Sequence, residues 1–174
     1  MMHKTDAAIQ LIRNALTAGI KTGYVLMDTW FTTEPMLKNI LDTGIHAIGM
    51  VKQLQQRYTY NVRQYTLPGL KKFVDFSSAG NILGSLVVTT KTGIPVKIVF
   101  VRNRNKKSEG LYLLSTDTSL NNAEIVRIYG NRWSIECFFL PPVLRFLYTS
   151  SAARSCSFSR SSCAIRGGET GKWH

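Results

Sequence analysis

The chain has 174 residues, 22 lysines and arginines against ten acidic residues, a formal net charge of +12, and 44% hydrophobic residues. That length suits one domain with its own core, and the apolar share excludes a wholly unstructured chain. No run of about 18 uncharged apolar residues offers a membrane span, so the charge surplus predicts a polyanionic partner, nucleic acid ahead of an anionic membrane surface.

The segment 5–52 reads as alternating helix and strand. Thr5 or Asp6 can cap a first helix carrying Ile9, Ile12 and Leu16, with Leu11 beside them and Gly19 as its stop. Tyr24-Val25-Leu26-Met27 is a short continuous apolar run, as expected of a strand buried on both faces, and Asp28 ends it. Thr33 followed by Pro35 marks a second helix start, Gly44 its end, and His46–Val51 a second buried strand. Strand, helix and strand joined by short loops predict a parallel unit with a right-handed crossover.

Residues 53–118 change character. Tyr58-Thr59-Tyr60, Gly84–Thr90, Pro95–Val101 and Leu111–Thr116 are β-rich, and Lys91-Thr92-Gly93 suits a hairpin turn. This stretch is expected to be an antiparallel insertion, with the basic cluster Arg102-Asn103-Arg104-Asn105-Lys106-Lys107 in its last turn. Residues 119–139 return to helix, capped by Ser119 or Asn121, with Ile125, Ile128, Trp133, Ile135 and Phe139 as apolar positions and Pro141-Pro142 as the stop.

Beyond Leu140 the composition breaks. Residues 150–163 read SSAARSCSFSRSSC, half of them serine, and the stretch to His174 has no periodicity. It reads as a disordered basic tail, or as coding DNA translated out of frame. The cysteines are Cys137, Cys156 and Cys163; an odd count without a CxxC pair fits reduced thiols in a cytoplasm. A zinc site from Cys156, Cys163 and His174 lacks close ligand spacing. Met1–Gln10 holds Lys4 and Asp6 and no apolar core, unlike a secretory signal.

Chemistry concentrates in two places. Asp28 would stand at the C-terminal end of a buried parallel strand, where open α/β folds bind ligands, although a plain turn aspartate has the same signature. Tyr129, Arg132 and Glu136 are spaced three and four apart, so one helix stripe would carry a phenol, a cation and an acid. Such a stripe can hold a metal ion and a phosphate together; an i,i+4 ion pair beside a core tyrosine is the plainer reading.

Together these motifs carry a resemblance. GYVLMDTWFTTEPMLKNILDTGIHAIGMVKQ resembles the region around the second catalytic aspartate of bacterial insertion-sequence transposases, in the insertion-sequence-four group of the DDE superfamily. YGNRWSIECFF resembles that group's Tyr-Arg-Glu-Lys signature, and the likeness covers about residues 5–139. It implies an RNase H-like α/β fold with an inserted β segment. It also implies cleavage and strand transfer of DNA by two divalent ions, normally Mg²⁺ or Mn²⁺, held by three carboxylates. On this resemblance Asp28 and Glu136 are catalytic and metal-binding. Tyr129 and Arg132 contact DNA phosphate, and Arg102, Arg104, Lys106 and Lys107 are further DNA-binding candidates.

Departures from the pattern shape the expectation. The group's first aspartate lies on an earlier strand, Asp6 at a helix start does not replace it, and Val143 stands where the signature lysine belongs. The expected protein is therefore a bacterial, cytoplasmic remnant of a transposase, begun at an internal methionine and out of frame after about Phe139. It would bind metal weakly and lack catalysis. A truncated DNA-binding chain that uses Lys71, Lys72, Arg102, Arg104, Lys106, Lys107 and Arg132, and that pairs with and inhibits full-length transposase, is the alternative; an unrelated basic RNA-associated module is the third. Trp30 and Phe31 follow a buried strand directly, which assigns them to core packing ahead of contact with DNA bases.

Overall fold

The computed structural model describes residues 3–52, 56–74, 80–102 and 110–132, all within one compact unit, Met1–Trp133. The periodic apolar positions of the N-terminal segment form α1 (Lys4–Thr17), with Ile9 buried, Ile12 and Leu16 packed beside the core, and Leu11 left 69% exposed. The helix starts earlier than its side chains suggest. His3 is the cap residue and makes no side-chain capping bond, while Asp6 falls in the first turn. Gly19, at φ +85°, ends it, and the Ile20 N–H reaches back to the carbonyl of Ala15.

The apolar run Tyr24–Met27 is β1, and α2 (Glu34–Leu41) follows, entered through extended Thr33 and Pro35. Gly44 closes the turn at φ +80°, and β2 (His46–Val51) pairs parallel with β1, Met27 opposite Gly49. The β-rich stretch supplies β3 (Arg57–Tyr60), β4 (Arg63–Thr66), β5 (Ile82–Thr89), β6 (Pro95–Arg102) and β7 (Gly110–Ser115). All of their pairings are antiparallel, and Gly93 at φ +89° makes the β5–β6 turn.

These strands do not form a body apart from the parallel pair. β7 pairs antiparallel with β2, so one mixed sheet of seven strands runs β1-β2-β7-β6-β5-β3-β4. The short α3 (Leu67–Leu70), followed by a 3₁₀ turn over Lys71–Phe73, was not expected from the sequence; Leu67 and Leu70 are fully buried.

Alternation along β2 sorts the core into two layers. Ala47 and Val51 face the side of α1 and α2, where Ile9, Met36, Leu37 and Ile40 pack. Ile48 and Met50 face the other side, covered by Ile125 and Tyr129 of α4 (Asn122–Gly130). The parallel pair is thus covered on both faces, which is why its strands read as continuous apolar runs. Asn121 caps α4, its Oδ1 accepting the Glu124 N–H at 2.8 Å. Among the described residues no helix is long and apolar enough to cross a membrane. Trp133, Ile135, Phe139, Pro141-Pro142, the serine-rich tail and the cysteine–histidine set lie outside the described residues.

Candidate functional site

Strand β1 ends on buried Met27 and hands Asp28, half-buried, to the C-terminal end of the parallel pair. The chain turns there, and the turn is tied at both of the residue's polar ends. Oδ1 of Asp28 accepts the N–H of Trp30 at 2.9 Å and of Phe31 at 3.2 Å. Its carbonyl accepts the N–H of Thr32 at 3.1 Å and the Thr32 hydroxyl at 2.6 Å. An aspartate side chain folded onto the amides that follow it is a self-contained turn, and it fixes the carboxylate while leaving Oδ2 outside the turn.

The turn rests on β2 through one residue. Thr32 is 4% exposed and lies directly over Gly49, the partner of Met27. A Cβ at position 49 would collide with the Thr32 hydroxyl and come within 2.8 Å of its methyl group. Glycine at the centre of β2 is what lets the Asp28 turn lie flat on the sheet.

Trp30 departs from the core packing expected of it. Phe31 packs against the core, but Trp30 is 77% exposed, with the Lys52 Nζ 5.0 Å from its ring centroid. Lys52 is the first residue beyond β2, so parallel pairing delivers it to the end of the sheet that carries Asp28. Nothing in the chain-local pattern marks Trp30 as exposed; only its place past the last sheet register does.

Of the helix stripe, Tyr129 and Arg132 are described and Glu136 is not. Tyr129 is 7% exposed and packs with Ile48, Val99 and Leu113; the Arg132 guanidinium carbon lies 5.8 Å from its ring centroid, and Arg132 is half-buried. Arg102 is exposed and ends β6 opposite Gly110, two residues beyond the row Val51–Tyr112–Phe100. It therefore leaves the sheet on the side where β2 ends. Lys71 and Lys72 are exposed, whereas Arg104, Lys106 and Lys107 lie outside the described residues.

The opposite end of the parallel pair carries a second polar cluster. Tyr24 donates its hydroxyl to Asp117 Oδ2 at 2.9 Å, and Ser119 donates both its hydroxyl, at 2.6 Å, and its N–H, at 3.0 Å, to Oδ1. These bonds, the Ser119 hydroxyl foremost, hold the Asp117 carboxyl below its ordinary range against the opposing effect of burial. Burial first, then the bond to Asp117, raises the Tyr24 phenol. The cluster ties the loop before α4 to the start of β1.

A two-metal centre needs several converging anionic oxygens. Among the described residues no group of three His, Cys, Asp or Glu side chains could hold a metal ion. Asp28 offers one carboxylate of the right chemistry, and the described residues alone do not complete such a site.

A mixed sheet with helices on both faces of its parallel pair defines an α/β domain, and Asp28 stands at the strand end where open α/β folds commonly bind ligands. The chain belongs to the transposase DDE domain family, which it matches over residues 2–140. Domains of this family use divalent metal ions and serve DNA transposition. Among solved structures, a piggyBac transposase synaptic complex with hairpin DNA is similar at 17% identity and a TM-score of 0.38, over 81% of this chain and 31% of that one. The chain thus spans about a third of that transposase's length. No curated protein matches the sequence.

Proposed function

We propose that the chain is a DNA-binding part of a bacterial, cytoplasmic transposase of the insertion-sequence-four group, acting on the ends of an insertion element. Asp28 and Glu136 serve as carboxylate ligands for Mg²⁺ or Mn²⁺. Tyr129, Arg132, Arg102, Arg104, Lys106 and Lys107 engage the phosphate backbone, arginine suiting that task because its fork offers two parallel donors. The observation that carries the reading is the Asp28 turn, a carboxylate pinned by two backbone amides at the end of a parallel strand, inside the segment matched by the family.

Divalent ions, when bound in such a domain, activate the attacking oxygen and stabilise the leaving one. The protein's own part is to orient the Asp28 carboxylate and to hold DNA by charge. The 174 residues carry matches to two of the family's three acids, so this chain by itself binds DNA without cutting it. Titration of a fluorescent duplex should show affinity falling steeply as salt rises, because each neutralised phosphate releases counterions. Affinity that is flat in salt refutes the DNA reading. Metal-dependent nicking that Asp28→Ala abolishes refutes the inactivity.

One observation favours a second role. β1 has a single strand neighbour among the described residues, which leaves a pairing edge on that side of the sheet. The chain would use it to join full-length transposase and inhibit it; coexpression that leaves transposition frequency unchanged removes this role.

A further inference from the structure

The turn that fixes Asp28 also presents an aromatic side chain that phosphate binding and metal chemistry do not use. Trp30 is the largest side chain of the turn and is 77% exposed, while its neighbour Phe31 goes to the core. An indole left in water forgoes the gain of burial, and this one is nevertheless held in place. The backbone N–H of Trp30 is bonded to Asp28 Oδ1, the Phe31 N–H and the Thr32 hydroxyl tie the rest of the turn back to Asp28, and the Lys52 ammonium lies 5.0 Å from the ring centroid. A cation at that distance is attracted to the face of the ring. Trp30 and Lys52 come from the ends of two parallel neighbours, so the sheet fixes their spacing.

A flat aromatic surface beside a carboxylate and an ammonium suits a ligand with a π-face and a phosphate. In duplex DNA both faces of each base are covered by its neighbours. A base offers a face only when it is unpaired, at a strand end, a bulge or an extruded position. Stacking on an aromatic side chain is tolerant of base identity, and Lys52 can meet the adjoining phosphate.

We propose that Trp30, with Lys52 at its ring, is a stacking platform for one unpaired nucleobase of the DNA held at Asp28. The proposal rests on the DNA-binding reading above and deepens it. It assigns a preference for locally unpaired DNA to a residue that sequence pattern places in the core.

The test uses the full chain and two synthetic duplexes of one sequence, one with a single bulged 2-aminopurine and one with that base paired. The bulged duplex should bind about tenfold more tightly, and its 2-aminopurine fluorescence should fall on binding, as stacking on indole requires. Trp30→Ala should bring the affinity ratio of the two duplexes to about one and abolish the quenching, and Trp30→Phe should keep part of both. Circular dichroism matching the parent shows that the variants are folded. A Trp30→Ala chain that keeps the parent's ratio and quenching overturns the platform while salt-dependent binding of both duplexes leaves the DNA reading standing. Failure of the parent to bind either duplex at low salt overturns both.

Discussion

Replacing Gly49 with alanine should damage the Asp28 turn from the far side of the hydrogen-bonded pair. The added Cβ would collide with the Thr32 hydroxyl and lie 2.8 Å from its methyl carbon and 3.1 Å from its Cβ. The hydroxyl and the methyl group decide the outcome. Both lie too close to be tolerated, so the threonine has to rotate about its Cα–Cβ bond, while its Cβ gives by a few tenths of an ångström. That rotation takes the Thr32 hydroxyl off the Asp28 carbonyl, a 2.6 Å bond in a residue only 4% exposed. Leaving a buried hydroxyl unsatisfied costs about 1–3 kcal/mol, and forcing extra volume into a packed site costs about 1–3 kcal/mol more. Against this, alanine restricts the unfolded chain and returns about 0.4–1 kcal/mol. A net loss of about 1–5 kcal/mol follows, readable as a lower urea midpoint with unchanged slope. The companion Thr32→Ala removes the colliding groups, so the two losses should fall short of additive by at least about 1 kcal/mol. A Gly49→Ala protein as stable as the parent, or losses that simply add, would refute the account of why glycine stands there.

Three further outcomes follow from the same structure. Val62 sits at φ +67° at the tip of the β3–β4 hairpin and is 97% exposed, so Val62→Gly relieves a left-handed β-branched residue without losing burial. Relief of about 1–2 kcal/mol less about 0.5–1 kcal/mol of glycine entropy leaves a gain of up to about 1.5 kcal/mol, seen as a higher thermal midpoint; a lower one contradicts it. Asn121→Ala removes the N-terminal side-chain cap of α4, the bond its Oδ1 accepts from the Glu124 N–H, and should cost about 1 kcal/mol, whereas Asn121→Asp should retain most of it. The Tyr24–Asp117 pair should show in the pH profile of stability. Asp117 is lowered from 3.8 in the folded chain, so its contribution is complete above that value and is lost as pH falls through the depressed one. Tyr24 is raised from 10.0, so its contribution is complete below that value and is lost as pH rises through the elevated one. Asp117→Asn should flatten the acid limb of urea midpoints measured against pH, and an unchanged limb removes the pair from the account.

The elements that local pattern foretold are those whose burial is local in origin. Tyr24–Met27 and His46–Val51 read as strands covered on both sides because continuous apolar runs have no other use at that length, and the helices between and after them confirm the covering. The start of α1 escaped because residue type favoured Thr5 and Asp6 as caps, whereas the helix begins at Lys4 without a side-chain cap. α3 escaped because Leu67-Pro68-Gly69-Leu70 looks like a break; the proline sits in the first turn of a short helix, where its missing N–H costs nothing, and the two leucines are buried. Other features depend on partners distant in sequence. No pattern within residues 110–115 says that β7 pairs with β2, yet that pairing joins the antiparallel β-rich segment to the parallel pair's own sheet. Gly49 reads as an ordinary strand position until Thr32 is placed on it, and Trp30 reads as a core residue until the sheet is seen to end before it. The candidate site divides the same way. Asp28 was visible as a carboxylate after a buried run, but its fixed direction depends on two segments: the turn that supplies the amides of Trp30 and Phe31 and the Thr32 hydroxyl, and β2, whose bare backbone at Gly49 the parallel pairing places beneath that turn.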